Sequence, residues 1–449
     1  MVFNRPVIGC RFCILHWHGS DQTMIVLLFV SLFALCALGF EIWAAMGLSA
    51  VLYLLIRGDV PLNVMAQTMV AGVDIVTLVA IPFFMLAGEL MNESGITERL
   101  VRFAQYFVGR IRGGLAYVTV IVNVIMAGVS GSAVADASAV SSVLLPAMAR
   151  DGYDRRFAAA INASAAVIGP IIPPSIPMVF IAVISDLSIG RLFLGGVVPG
   201  LLMGVFLTVT IYLYSLRHAL PTTEVRRGMG EFLHLLAQAF LALLAPAIIL
   251  AGVVFGVVTI VEVAFLAVLY VLVVGMLAYR TIRLRALPGI FSRAAATSVS
   301  IMAIFASVGT YAWIIANEQL GPQLARAIQS LGLGWIGFLI VANLFFLFLG
   351  CIMDAVPAML IFFPVLLPVA KDLGIDPIHF GVVVVLNLMI GLLTPPVGAL
   401  LFLEAKLADI SFGELVRAVL PCLAALLCVL ALITYVPPLV TFVPNWVFR

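Results

Sequence analysis

The feature that most constrains this chain is a series of long apolar segments that recurs from Met24 almost to the last residue. Most run for about 17 to 28 residues, and a helix of about 20 residues crosses the hydrocarbon core of a bilayer. The 449 residues are 64% apolar and only 10% charged, whereas soluble domains are about 25% charged. No polar stretch is long enough for a separate soluble domain. The sequence therefore predicts an all-α polytopic membrane protein.

Charged or turn-rich breaks divide the apolar sequence into about ten predicted transmembrane helices. Their approximate bounds are 24–40, 42–57, 74–91, 157–184, 190–216, 232–257, 261–279, 294–317, 378–404 and 414–436. Two further apolar segments, 114–149 and 335–370, are too long for one span and are interrupted near the middle by Gly or polar residues. We predict two re-entrant helical hairpins there, since irregular backbone at membrane depth is tolerated only where protein or a water-filled cavity surrounds it.

The distribution of basic residues tests this layout, because cytoplasmic loops carry the excess of Lys and Arg. The arginine-rich segments 99–112, 150–156, 217–227 and 280–293 all fall on one side. Counting either hairpin as a single crossing removes that asymmetry. The layout therefore predicts both termini outside, a first hairpin entered from the cytoplasm and a second entered from outside.

This order of spans and hairpins predicts an inverted repeat, because each half has five crossings and one hairpin and the hairpins enter from opposite sides. The first repeat covers 24–216 and the second 232–436, joined by a cytoplasmic linker at 217–231. Residues 1–23 and 437–449 are the predicted tails.

Each half contains one apolar span with the pattern G-x-x-x-P-P. The first half reads GPIIPPS at 169–175, inside span 157–184, and the second reads GLLTPPV at 391–397, inside span 378–404. Adjacent prolines remove backbone donors and clash with the preceding turn, so each pair should break its helix. A break near the bilayer midplane frees carbonyls and exposes a helix N-terminus, groups that suit a cation and an anionic substrate.

The two hairpins also match, since Asp136 and Asp354 each precede a proline by ten residues (Pro146 and Pro364). Ser130, Gly131 and Ser132 form the expected tip of hairpin one, and Gly350 and Cys351 lie near the expected tip of hairpin two. A carboxylate within a membrane favours a functional site. The alternative is that both acids cap the second helix of their hairpins, and the two roles are compatible.

The first 23 residues differ in composition, and Cys10, Cys13, His16 and His18 have a spacing that suits a metal site. We favour coincidence over a transition-metal site there, because the tail offers no partner element, and we interpret Met24 as a candidate biological start. The remaining cysteines lie in apolar runs, so no structural disulfide is expected.

Several segments in fixed order resemble the large membrane subunit of the tripartite ATP-independent periplasmic (TRAP) transporters. They are GVSGSAVADASAVSSVLLPAM, FAAAINASAAVIGPIIPPSIPMVF, GRLFLGGVVPGLLMG and HFGVVVVLNLMIGLLTPPVGALLF. The resemblance begins at about Met24. It implies an elevator-type secondary transporter in a bacterial inner membrane, coupled to sodium and needing no other cofactor. The implied partners are a separate small four-helix membrane subunit and a periplasmic substrate-binding protein, with membrane lipid around them and no nucleic acid.

Carried over by residue, the resemblance places the ion and substrate region at both hairpins and both breaks. The residues are Ser130, Gly131, Ser132, Asp136, Gly169, Pro173, Pro174, Asp354, Gly391, Thr394, Pro395 and Pro396. It also implies that the amphipathic stretch 97–114 lies along the cytoplasmic surface, for which a plain linker helix is the alternative. The solute is expected to be a small organic acid, whose identity the sequence does not reveal.

Other classes of function fit less well. The chain has no nucleotide-binding P-loop, so its energy should come from an ion gradient or a partner. A rhomboid-like protease would need Ser130 beside His379, which the predicted layout places at the opposite mouth, so we expect no enzyme. A self-sufficient sodium/carboxylate elevator transporter remains the nearest alternative, and a continuous channel fits two occluding hairpins poorly.

Overall fold

The structure is a computed structural model that describes residues 21–108, 111–222, 229–254, 258–330, 332 and 334–448, and within these ranges every regular element is helical. The first half contains α1 (Asp21–Ala37), α2 (Ile42–Arg57), α3 (Asn63–Val73), α4 (Ala80–Glu93), α5 (Ile96–Val108), α6 (Gly114–Ser130), α7 (Ala133–Arg150), α8 (Arg155–Ala166), α9 (Ile176–Ser185) and α10 (Ile189–Arg217). The second contains α11 (Met229–Val254), α12 (Ile260–Val273), α13 (Leu287–Asn317), α14 (Leu320–Ser330), α15 (Trp335–Ile352), α16 (Ala355–Asp372), α17 (Pro377–Gly391), α18 (Ala399–Ala408), α19 (Phe412–Tyr435) and α20 (Pro438–Val447).

Eight helical segments in the described part are long and apolar enough to cross a membrane. They include α10, α13 and α19, and shorter apolar helices such as α1, α2, α9 and α17 account for most of the remaining predicted spans. The all-helical membrane fold is thus confirmed. The structure adds helices α3, α14 and α20, which the apolar pattern did not predict. Helix α20 lies within the segment predicted as a C-terminal tail and packs against α10 and α17.

Both predicted hairpins are pairs of packed helices. The pair α6 and α7 spans 114–150, and α15 and α16 span 335–372, close to the predicted bounds. Gly350 and Cys351 lie near the tip of the second hairpin, in the last turn of α15. The turn consists of Met353 and Asp354. Cys351 continues the helix, donating from its thiol to the Leu347 carbonyl.

Both G-x-x-x-P-P segments interrupt a helix, as the prolines predict. Helix α8 ends at Ala166 and α9 begins at Ile176, while α17 ends at Gly391 and α18 begins at Ala399. Each break contains one cis peptide bond, Pro173–Pro174 in the first and Pro395–Pro396 in the second. The two breaks therefore share a cis peptide bond between their adjacent prolines.

In each half, an asparagine pair joins the first helix of the hairpin to the helix before the break. Asn123 Nδ2 on α6 donates to Asn162 Oδ1 on α8 at 3.1 Å, and Asn387 Nδ2 on α17 donates to Asn343 Oδ1 on α15 at 2.7 Å. Side-chain amides hydrogen-bond well across helices where no water competes. The two asparagine pairs therefore hold corresponding helices of the two halves together.

The loops predicted on the basic side are in contact with one another. Thr281 donates to the Ser94 carbonyl at 2.8 Å, and the Arg99 guanidinium lies 3.9 Å from the centre of the Tyr279 ring. The amide of Gly113 donates to the Pro221 carbonyl at 2.9 Å. We call this side of the molecule the basic face. These contacts agree with the predicted layout, in which the same loops share one side.

Helices α2, α3, α4, α12 and α13 pack together as one group, which we call the outer group. Its tightest crossing joins Gly72 on α3 to Gly309 on α13, where an added Cβ on Gly309 would lie 2.3 Å from the Thr68 carbonyl oxygen. Thr68 and Thr310 share a hydrogen bond of 3.0 Å beside this crossing. Such small residues let two helix backbones approach closely in a membrane.

Candidate functional site

A cavity of about 330 Å³ lies where the two hairpins, the two breaks and helix α13 meet. Its lining includes Gly131 and Ser132 of hairpin one, Asp354 of hairpin two, Pro170 beside the first break and Leu392 beside the second. The sequence-predicted regions, distant in the chain, therefore converge on one space. We call it the central cavity.

Four helices begin at the wall of the central cavity: α7, α9, α16 and α18. Their first residues, Ala133, Ile176, Ala355 and Ala399, all line it. A helix N-terminus carries about half a positive charge and several free N–H groups. Four of them directed at one space make the cavity suitable for an anion without a cationic side chain.

The tip of hairpin one rests directly on the first break. Gly131 follows the last residue of α6 with φ +61°, in the left-handed region that favours glycine. An added Cβ there would lie 2.5 Å from the Pro174 carbonyl oxygen. Ser132 then caps α7, its hydroxyl accepting from the amide of Ala135 at 3.4 Å. The Ser130 side chain lies outside the described part of the chain.

Asp136 lies in the first turn of α7 and is fully buried. Its Oδ2 would be 2.3 Å from a Cβ added to Gly169, so this carboxyl packs directly over the backbone where the first break begins. The cap of α7 is Ser132 and not Asp136. For Asp136 the capping alternative is therefore wrong. The buried carboxyl therefore lies beside the backbone of the first break.

Asp354, unlike Asp136, caps a helix, because it is the N-cap of α16. Its Oδ1 accepts from the amide of Val356 at 3.0 Å, and the residue is exposed at the edge of the central cavity. Asp354 therefore caps α16 and lines the central cavity at the same time. The two aspartates, equivalent in sequence spacing, are therefore not equivalent in structure.

The second break packs against hairpin two through glycine. A Cβ added to Gly391 would lie 2.5 Å from the Cα of Gly350. Thr394 donates from its hydroxyl to the Ile390 carbonyl at 2.9 Å, and Pro395 and Pro396 follow on the more exposed side of the break. Close glycine packing leaves the carbonyls of this break near the tip of hairpin two.

Sequence reasoning missed the wall contributed by the outer group. Thr297 and Ser300 on α13 line the central cavity, and Thr297 also lines an adjoining space of about 610 Å³ that extends to Glu89 and Asn92 on α4. Met85, Ser132 and Val134 line both spaces. The signal was weak, since Thr297 and Ser300 are ordinary residues of a long helix. Glu89 lies close to the end of a predicted span, where a carboxylate is readily solvated.

The adjoining space leads towards the basic face. Arg293 on α13 donates to Glu89 at 3.0 Å and to Glu93 at 2.7 Å, so Glu89, which lines this space, is paired with a cation. No Lys or Arg is among the described residues that line either space. The described lining is thus mainly apolar and hydroxyl-bearing, with the carboxyl groups of Asp354 and Glu89 and with the ends of helices as the source of positive potential.

Two other predictions concern residues away from this site. His379 is buried, with its Nε2 2.8 Å from the Ile433 carbonyl oxygen, so it already has a partner in the core between α17 and α19. Cys10, Cys13, His16 and His18 lie outside the described residues. Within the described residues, no group of three or more His, Cys, Asp or Glu side chains could hold a metal ion.

The chain is similar to known membrane transport proteins. Residues 29–439 match the family model of the tripartite ATP-independent periplasmic transporter, DctM component. The chain is 38% identical to the sialic acid TRAP transporter large permease protein SiaM of Vibrio cholerae, over 88% of this chain and 92% of that protein. It is also 38% identical to the C4-dicarboxylate TRAP transporter large permease protein DctM of Pseudomonas aeruginosa, over 90% and 94% respectively.

Among solved structures, the YdaH transporter of Alcanivorax borkumensis has a similar fold. The TM-score is 0.62, with 16% sequence identity, covering 86% of this chain and 89% of that one. At this identity the likeness concerns the fold alone.

Proposed function

The chain belongs to the family of the DctM component of the tripartite ATP-independent periplasmic transporters, and from this membership we propose that it is the large permease subunit of a sodium-coupled importer. The proposed solute is a small organic acid delivered by a periplasmic substrate-binding protein. The other proposed partner is a small four-helix membrane subunit, all within a bacterial inner membrane with both termini periplasmic.

The observation that carries this proposal is the convergence of four helix N-termini on the central cavity. An organic anion needs positive potential, and the described lining offers no Lys or Arg. Helix ends supply that potential without a buried cation. Hydroxyl groups such as Thr297 and Ser300 can then bind the polar atoms of the solute.

Sodium would bind close to the same cavity, at the hairpin tips and breaks. Sodium is a hard cation that prefers oxygen ligands, and carboxylates, hydroxyls and backbone carbonyls are all oxygen donors. Asp136, Ser132 and the Pro174 carbonyl lie together at the first break, while Asp354 and Thr394 supply oxygens near the second. Sodium at these places would add positive charge beside the anion, which couples the two binding events.

The movement that we propose is of the elevator type. The hairpins with the broken helices would move as a unit past the outer group, carrying the central cavity from one side of the membrane to the other. The adjoining space between Ser138 of hairpin one and Asn92 of α4 would then be the exit towards the basic face. Alternating access of a site between inverted repeats is common in secondary transporters.

The alternative is a self-sufficient sodium/carboxylate elevator transporter, which would use the same cavity without a binding protein. The decisive experiment is uptake of labelled organic acids into proteoliposomes under an inward sodium gradient. The chain would be reconstituted alone, with its small subunit, and with the small subunit plus the binding protein. Uptake only by the complete set supports the tripartite proposal. Uptake by the chain alone would favour the alternative, and uptake independent of sodium would contradict both.

A further inference from the structure

A buried carboxyl group, Glu404 on α18, lies outside the site described above and is fully shielded from solvent. Ser141 on α7 donates to it, with Oγ 2.9 Å from Oε1 and 2.8 Å from Oε2. Asn162 Nδ2 on α8 donates to Oε1 at 2.8 Å. A residue of the second half is therefore held by two side chains of the first half.

The orientation of the Asn162 amide determines what the Glu404 carboxyl can bind. Its Nδ2 lies 3.0 Å from the Ala137 carbonyl oxygen and its Oδ1 accepts from Asn123. A carbonyl can only accept, so the NH₂ end faces Ala137 and Glu404. Glu404 thus meets N–H and O–H donors rather than the ring of oxygen ligands that a hard metal cation requires.

The surroundings provide no charge to balance an ionised Glu404. Helix α18 packs against α7, α8 and α19. The other titratable residues of these helices and of the turn after α18 are Asp136, Arg150, Arg155, Arg156, Lys406, Asp409, Glu414, Arg417, Cys422, Cys428 and Tyr435. Lys406 is exposed, and Arg155 and Arg156 pair with Asp409 (3.9 Å) and Glu414 (3.7 Å). Within the described residues no cation pairs with Glu404, and an unpaired buried charge is costly.

A cleft leads to the serine that donates to this carboxyl. A cleft of about 310 Å³ lies between α7, α8 and the end of α18, and Arg155, Asp409 and Ser141 are among its lining residues. The cleft therefore runs from the charged residues Arg155 and Asp409 to Ser141. The Ser141 hydroxyl connects it to Glu404 by one hydrogen bond.

We propose that Glu404 is a proton-binding site, separate from the central cavity, that exchanges its proton with water in this cleft. A hydronium ion in the cleft gives one proton to Ser141 Oγ and becomes water, while the serine's own hydroxyl proton passes to a Glu404 oxygen. The serine is unchanged and the carboxylate becomes a neutral acid. The neutral acid keeps its bonds to Ser141 and Asn162. It thereby joins α18 to hairpin one without a buried charge.

Infrared spectroscopy of the purified full chain tests this directly. At pH 7 we expect a carboxylic-acid C=O band that shifts in D₂O, is lost in Glu404→Gln, and persists in the matched variant Glu98→Gln, whose carboxyl is exposed on α5. Ser141→Ala keeps the carboxyl but removes the route, so the band should remain while its hydrogen–deuterium exchange becomes slower.

Two results would overturn the proposal. One is the absence of any acid band assignable to Glu404. The other is a carboxylate band that responds to added sodium in the parent and not in Glu404→Gln, which would assign the group to a metal cation. The measurement requires no transport, so its failure is distinguishable from failure of the proposed sodium-coupled uptake.

Discussion

Replacing Gly131 by alanine should uncouple the tip of hairpin one from the first break. Gly131 has φ +61°, and a Cβ there would lie 2.5 Å from the Pro174 carbonyl oxygen. Placing alanine in the left-handed region costs about 1–2 kcal/mol. The contact adds an overpacking cost of about 1–3 kcal/mol, because a backbone oxygen cannot simply rotate away.

Gly152 provides the matched control. It also has positive φ, +88°, but nothing lies within 4 Å of a Cβ added at this position, in the turn between α7 and α8. Gly152→Ala therefore carries the conformational cost alone. The difference between the two variants isolates the contact with Pro174. At about 1–3 kcal/mol this difference corresponds to roughly 5- to 150-fold in a binding equilibrium.

The assay is sodium-driven uptake in proteoliposomes, measured as the sodium concentration that gives half-maximal rate, with inserted protein quantified for each variant. The sodium concentration for half-maximal uptake should be roughly 5- to 150-fold higher in Gly131→Ala than in Gly152→Ala. Both variants should insert equally. Equal sodium dependence in the two variants would refute the assignment of the tip–break contact to the ion site.

Three further predictions concern other parts of the structure. Asp136→Ala and Asp354→Ala should each abolish sodium-driven uptake while leaving insertion intact, and normal uptake in both would remove the carboxylates from the site. Gly309→Ala should lower the stability in detergent by about 1–3 kcal/mol, because the added Cβ would lie 2.3 Å from the Thr68 carbonyl oxygen. The control Gly413→Ala, with nothing within 4 Å of its added Cβ, should not lower it. Equal shifts in the two variants would contradict the tight crossing. Ser175 caps α9, and its Oγ accepts from the Met178 amide at 3.2 Å. Ser175→Ala removes this bond, so we expect the free energy of unfolding to fall by about 1 kcal/mol in the same assay. An unchanged melting temperature would count against this cap.

Much of the architecture could be predicted from local sequence because the membrane restricts the choices. Apolar length predicts spans, and the interruptions at 114–149 and 335–370 predict hairpins, since a lipid-exposed backbone must satisfy its own hydrogen bonds. Adjacent prolines predict breaks wherever they occur in an apolar helix. The pattern placed Gly350 and Cys351 near the tip of the second hairpin, and the structure assigns the turn itself to Met353 and Asp354.

The alternative roles of the two aspartates show where local pattern becomes insufficient. Asp136 and Asp354 have the same spacing to a following proline, and sequence left capping and site-building open for both. Ser132 caps α7 and leaves Asp136 buried over Gly169, whereas Asp354 itself caps α16 at the edge of the cavity. The residue that precedes the helix decides the cap, and the packing of the break decides the burial.

By itself the sequence determined that this protein lies in a membrane, and it determined the membrane-spanning helices, the two breaks and the family. Each of these depends on residues that are close together in the chain. The tertiary structure alone decided which groups meet: four helix N-termini at one cavity, Thr297 on its outer wall, and Glu404 with Ser141 and Asn162. Glu404 is separated from these two partners by 263 and 242 residues. Such contacts depend on which helix faces pack together. The spacing of apolar residues along a helix shows that it has a packing face, but it does not show which other helix packs against that face.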